Sequence, residues 1–245
     1  MKNLKYLAQI TLFLITFSSI AQHTVINNEV GVFIGPTFMQ TDYGEAKNFG
    51  SSINNTGFGF GIAYIADFSD SRSNSKLGRF LGEHLKLRAE LSYSKANFAY
   101  DGKPVEETNS EIDRFKAMKG TTKIFNLGIF TELYIFNLID DSNLKPYLLG
   151  GVSYSSSNPS LKSSLPYPSI YLPEEDNIFM KKQSSLSFTG GVGTRYKLDD
   201  IDLVFEYRLN YFLSDKIEGL DADFSGDKHN DAQTIFNLGV IFHLY

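Results

Sequence analysis

The chain has 245 residues, of which 21% are charged and 42% hydrophobic, and a formal net charge of -5. It holds no uninterrupted apolar run of the length a transmembrane helix requires, which excludes a helical membrane protein. The lack of cysteine excludes a structural disulfide, a thiol nucleophile, a thiolate metal site and a lipid-modified N-terminal cysteine, and the acid excess argues against nucleic acid as a partner.

Residues 1–21 read as a secretory signal. Lys2 and Lys5 give a basic start, Leu7 to Phe17 a short apolar centre, and Ser19-Ile20-Ala21 a small-x-small cleavage site. The remaining domain, 22–245, loses those two lysines and no acid, so its net charge is -7. A first strand is expected over Glu29 to Gln40, with Val30, Val32, Ile34 and Phe38 on one face and Phe33 interrupting the pattern. After a polar loop, Thr56 to Phe68 sets Phe58, Phe60, Ile62 and Tyr64 against Gly57, Gly59, Gly61 and Ala63. Water gives no reason to choose glycine in a strand, whereas a narrow barrel interior does, because side chains from other strands must fit there. The glycine face is therefore expected inside and the aromatic face towards lipid.

Ser69 to Glu83 reads as a connection carrying Arg72, Lys76 and Arg79. The next stretch, LKLRAELSY from Leu85 to Tyr93, states the architecture most directly. Leu85, Leu87, Ala89, Leu91 and Tyr93 share one face, and Lys86, Arg88, Glu90 and Ser92 the other. A period of two means a strand. Tyr100 to Gly120 is a charged loop in which Ile112, Phe115 and Lys116 suit one or two helical turns. Strand four is expected over Thr121 to Phe136, strand five around Pro146 to Tyr154, and the longest loop over Ser155 to Gln183. Strands six (Ser185 to Leu198), seven (Ile201 to Tyr211) and eight (Thr234 to Tyr245) repeat the alternation. The turns at Ile139 to Asn143 and Asp199-Asp200 are short, while most other connections are long, the known asymmetry of outer-membrane barrels. The fold class is thus all-β: an eight-stranded antiparallel transmembrane up-and-down β-barrel, a monomer set in outer-membrane lipid.

The inward phase collects Glu29, Arg88, Glu90, Glu132, Arg195, Glu206 and Arg208. In a narrow lumen each charge needs a partner, so these residues are expected to form an ion-pair network that plugs the barrel. Catalysis by raised-pKa carboxylates is the lesser reading. A lipid hydrolase or acyltransferase needs a His and Ser set near the interface, and His23, His84, His229 and His243 lie in no Gly-x-Ser-x-Gly setting. His243 shares a phase with lumen residues. Asp221, Asp223, Ser225 and Asp227 have the spacing of the first half of a calcium loop, but the twelfth place, where a bidentate acid belongs, is Ala232, so a solvated acidic loop is favoured. No cofactor is expected.

The segments NEVGVFIGP, KIFNLGIFTELYIF, KPYLLGGVSYSSSNP, EYRLNYFLSDKIEGLDAD and NLGVIFHLY together resemble the outer-membrane barrels of Bacteroidetes related to PorG. That resemblance implies a non-enzymatic envelope component associated with type IX protein secretion that binds a periplasmic lipoprotein ring. The periplasmic docking candidates are then Arg72, Lys76 and Arg79. The alternatives are a small transport pore, which needs a wide, uncharged lumen, and an outer-membrane lipid-modifying enzyme.

Overall fold

The computed structural model describes residues 26–41, 55–69, 76–100, 110–139, 141–167, 181–220 and 230–244. The strands are β1 (Asn27–Gln40), β2 (Thr56–Asp67), β3 (Leu85–Ala99), β4 (Met118–Tyr134), β5 (Leu144–Ser163), β6 (Gln183–Lys197), β7 (Ile201–Phe212) and β8 (Ala232–Leu244). Helix α1 (Lys76–His84) precedes β3 and helix α2 (Ser110–Ala117) precedes β4. Each strand pairs antiparallel with the next, and β1 pairs with β8, so the sheet closes into the expected barrel. Closure leaves no open edge, which hydrocarbon would not tolerate.

A row followed across the ladder from Val30 through Tyr64, Ala89, Ile129, Val152, Phe188, Tyr211 and Ala232 returns to β1 at Gln40 rather than Val30. This stagger means strands tilted by about 40° to the barrel axis, with an interior just wide enough for side chains. Leu203, Phe205, Tyr207 and Leu209 of β7 are exposed, whereas Asp202, Glu206, Arg208 and Asn210 are buried. The same alternation runs round the barrel, with Phe58, Ile62, Leu127, Ile129, Leu186 and Phe188 among the exposed side chains. An apolar outer wall over a charged interior is the reverse of a water-soluble barrel, and it sets this chain in the outer membrane. Among the described residues no helix is long and apolar enough to cross a bilayer; the strands do so.

Phe33, which interrupts the apolar set of β1, lies inside at 1% exposure and keeps the two-residue period. Its ring explains two glycines. A Cβ on Gly31 would come within 2.7 Å of the Phe33 ring, and one on Gly239 within 2.5 Å. Gly128 and Gly193 would likewise collide with Phe130 and Tyr147. Each of these glycines is a seat for an inward aromatic ring. Gly150 and Gly190 are different: they pair across β5 and β6, and a Cβ on either would meet nothing within 4 Å.

Three expectations are corrected. The connection at Ser69 to Glu83 contains α1, whose last turn is held by the Leu138 N–H to the Glu83 carbonyl at 2.8 Å. Strand four begins earlier, at Met118. Strand five does not stop at Tyr154 but runs on to Ser163, which shortens the longest loop. Pro159 looked like a loop residue, yet β6 pairing ends at Ser157, so the proline sits where only β4 flanks it and a missing N–H is tolerated. Residues 1–25 lie outside the described residues, and the secretory-signal reading with them.

The short turns at 135–143 and 198–200 lie at the end that holds the start of β1 and the end of β8, which marks it as periplasmic. The other mouth is capped. Phe115 of α2 and Ile217 and Leu220 of the β7–β8 connection pack on Met39, Phe98, Met118, Ile124, Leu161 and Phe212. Thr122 Oγ1 donates to the Ile217 carbonyl at 2.9 Å, and the Ile217 N–H donates to Asp231 Oδ2 at 2.8 Å.

Replacing Gly193 with Val should destabilise the barrel by about 1–3 kcal/mol through overpacking on Tyr147. Gly190→Val should stay within about 0.5 kcal/mol of wild type. Thermal unfolding in detergent, followed by the heat-dependent shift in gel migration, separates the two.

Candidate functional site: the lumen charge network

Alternation along the strands delivers the charges. β3 turns Lys86, Arg88 and Glu90 inward at successive alternate positions, β7 turns Asp202, Glu206 and Arg208 inward with Val204 between the first two, and β1, β4 and β6 add Glu29, Glu132 and Arg195. All nine are nearly or wholly buried.

The geometry divides them into two linked groups. Nearer the periplasmic end, Lys86 Nζ lies 2.7 Å from both Glu29 Oε1 and Asp67 Oδ2, and Arg195 Nη1 lies 2.7 Å from Glu29 Oε2. Arg195 Nη2 reaches Glu132 Oε2 at 2.5 Å, and Glu132 passes the chain on to Arg88 Nη1 at 3.4 Å. In the second group Arg88 pairs with Glu90 and, at 2.9 Å, with Glu206. Arg208 closes the ring, with Nη1 2.7 Å from Glu90 Oε1 and Nη2 2.6 Å from Glu206 Oε1. The seven residues expected in the lumen are thus brought together in one network.

Neutral groups complete it. The Tyr134 hydroxyl donates to Glu132 at 2.6 Å, the Tyr147 hydroxyl to Glu206 at 2.8 Å, and Asn237 Nδ2 to Glu206 at 3.0 Å. The guanidinium of Arg88 lies 3.8 Å from the Phe33 ring centroid, and that of Arg208 lies 5.0 Å from Phe130. Delocalised, weakly hydrated guanidinium stacks on aromatic faces and tolerates burial better than ammonium does. The glycine seats, the rings and the arginines therefore form one packed unit.

Sequence reasoning left Lys86, Asp67 and Asp202 out of the network, and likewise Phe33 and the two tyrosines. The signal for Lys86 and Asp202 was present, since each shares the inward phase of a strand whose other charges were counted. Nothing in sequence distinguished Tyr134 or Tyr147 from a lipid-facing tyrosine beyond that same phase.

His243 joins the lumen: its Nε2 lies 3.2 Å from Asp202 Oδ1 and its Nδ1 3.4 Å from Glu29 Oε1. Glu29, Asp202 and His243 hold ligand atoms within 4.8 Å of one another, the grouping among the described residues that could take a metal ion. Glu29 is already paired with Lys86 and Arg195, so an incoming cation would compete with two buried charges. His84 Nδ1 is bonded to the Tyr134 carbonyl oxygen at 3.1 Å. Lys76 and Arg79 stand exposed on α1, at the periplasmic end and away from the network. Arg72, His23, His229 and the calcium-loop candidates Asp221, Asp223, Ser225 and Asp227 lie outside the described residues.

Between the ions and the apolar cap lies an uncharged polar layer. Ser153 and Ser187 share a hydrogen bond of 2.6 Å, Thr189 Oγ1 donates to Asn210 Oδ1 at 2.8 Å, and Gln233 Nε2 donates to Ser94 Oγ at 2.9 Å. A cavity lined by Phe33, Glu90, Asn126 and Arg208 measures about 20 Å³, room for about one water molecule.

No protein-family model matches the chain, and no curated protein does. Solved structures do. A major outer membrane protein from Thermus thermophilus is 14% identical with a TM-score of 0.52, over 90% of this chain and 100% of that one. Neisserial surface protein A is 15% identical with a TM-score of 0.47, over 89% and 97%. OprG from Pseudomonas aeruginosa is 14% identical with a TM-score of 0.41, over 91% and 98%. At such identities the likeness shows the fold, and no residue role is carried across.

Glu90→Ala removes a partner from both Arg88 and Arg208 and should cost about 3–5 kcal/mol, because buried charge is left uncompensated. The expected readout is a large drop in the unfolding midpoint; an unchanged midpoint would mean that the network contributes little to stability.

Proposed function

We propose that this outer-membrane barrel is a non-enzymatic structural and docking component of the cell envelope, working in type IX protein secretion. The observation that carries the reading is the filled lumen. Ion pairs, a neutral polar layer and an apolar cap succeed one another from the periplasmic end to the outer mouth, which leaves the rims and the outer wall as working surfaces. A transport pore needs a continuous wet path, whereas the described lumen is crossed by ion pairs and the cavity beside Arg208 has room for about one water molecule. A lipid-modifying enzyme needs a histidine poised as base beside a serine. His243 is held by Asp202 and Glu29, and His84 by the Tyr134 carbonyl, which favours the non-enzymatic reading.

The docking candidate is the periplasmic rim around α1. Leu77, Phe80 and Leu81 fall at i, i+3 and i+4 and are 68%, 51% and 41% exposed. Lys76 and Arg79 are exposed beside them. The Leu138-to-Glu83 and His84-to-Tyr134 bonds fix the end of the helix to the barrel, so it presents its side chains from a rigid base. This is where a periplasmic lipoprotein would bind; Arg72, the third candidate, lies in the preceding segment of the chain, outside the described residues.

Two measurements test the reading. The purified barrel in a planar bilayer should give no stable conductance; steady open-channel currents would replace docking with transport. A photo-crosslinking residue at Arg79 should capture a periplasmic or lipoprotein partner in cells, and deletion of the gene should impair secretion. Capture of lipid alone would reduce α1 to an interfacial anchor.

A further inference from the structure

The outer wall is not uniform. At the rim nearer the long loops, Lys95 of β3 is directly opposite Lys123 of β4, which is opposite Asn158 of β5. Lys182, just before β6, comes next along the same row of the ladder, beyond the last β5–β6 pair at Ser157 and Gln183, and the strand tilt sets it further towards the outer mouth than Lys95. Two outward positions further along, Lys119 of β4 faces Lys162 of β5. All five lysines are exposed, and among the described residues none forms an ion pair. The corresponding outward positions on the opposite wall are uncharged: Phe38 and Gln40 on β1, Phe58 on β2, Tyr211 on β7 and Thr234 on β8. Like charges placed directly across a ladder destabilise a sheet, so an arrangement of this kind calls for an anion.

Immediately below the first lysine level, Tyr93 and Phe125 form a cross-strand pair at the upper edge of the apolar belt. A groove of about 370 Å³ opens there between Lys123 and Lys182, floored by Phe125 and Tyr93 and flanked by Ser156 and Asn158. Cationic groups over an apolar shelf, at the depth where headgroups meet acyl chains, match an amphiphile that carries phosphate. Two levels of lysine match more than one phosphate on a broad headgroup.

We propose that the β3–β6 wall binds a phosphorylated, multiply acylated glycolipid of the outer leaflet, with its phosphates on Lys95, Lys123 and Lys182 and its chains along Tyr93 and Phe125. The site does not depend on the docking reading, because it lies on the outer wall at the opposite end from α1. Lys119 and Lys162 stand ready for a second, more distal phosphate.

The test uses the full-length barrel in nanodiscs of zwitterionic phosphatidylcholine, with bisphosphorylated lipid A titrated in and bound lipid counted by native mass spectrometry. Wild type should retain lipid A. Lys123→Gln combined with Lys182→Gln should weaken retention by roughly tenfold or more, since each of the two basic residues near an anionic surface contributes about fivefold. Lys123→Arg with Lys182→Arg should keep binding, because charge is preserved. Dephosphorylated lipid A should be retained no better by wild type than by the glutamine variant. Equal retention of lipid A by wild type and the glutamine variant would overturn the proposal. So would equal retention of phosphatidylglycerol and lipid A by wild type, which would show only a general attraction for anionic lipid.

Discussion

A barrel of eight strands is too narrow to hydrate its own interior, so a charge placed on the inward face must find its counter-charge in protein. That constraint shapes the rest of this molecule. Arg88, Arg195 and Arg208 each contact two or more carboxylates, and those carboxylates are further bound by Tyr134, Tyr147 and Asn237. Arg88 and Arg208 also rest on rings, and those rings need the space that Gly31, Gly128 and Gly239 leave open. Removing an acid would strand a buried cation, whereas filling a glycine seat would displace the ring beneath one. Both injuries reach the same network from different sides.

The interior is graded rather than uniform. Ions occupy the periplasmic half, hydroxyls and amides the middle, and apolar side chains the outer mouth. The outer cap comes partly from outside the barrel strands, since Phe115 belongs to α2 and Ile217 and Leu220 to the β7–β8 connection. Two of the long connections are therefore tied into the barrel, and their bases share its rigidity. With the lumen filled, the chemistry of the described residues is displayed at α1 and on the outer wall.

That wall has its own order. Apolar residues meet the acyl chains all round, while among the described strand residues of the outer rim the exposed lysines gather on β3 to β6. Solubility alone would not favour one side of a membrane cylinder over the other. A one-sided charge distribution is what the proposed glycolipid site uses.

Much of this was legible in the sequence because a strand has a period of two, and a barrel has only two kinds of surface to offer it. Leu85 to Tyr93 alone separates the lipid-facing set from Lys86, Arg88 and Glu90, and the long and short connections orient the cylinder. Phase also assigned Glu29, Arg88, Glu90, Glu132, Arg195, Glu206 and Arg208 to the interior. It could not say which acid would meet which base: Arg88 and Glu206 are far apart in the chain, and their contact depends on the stagger with which the strands close. The same stagger decided that Phe33 lies beneath Arg88, that Pro159 belongs to a strand with one free side, and that Lys95, Lys123 and Lys182 fall along one row of the ladder. Alternation is a local property of the backbone and can be read residue by residue, whereas register is a property of the closed sheet and exists only once all eight strands have met.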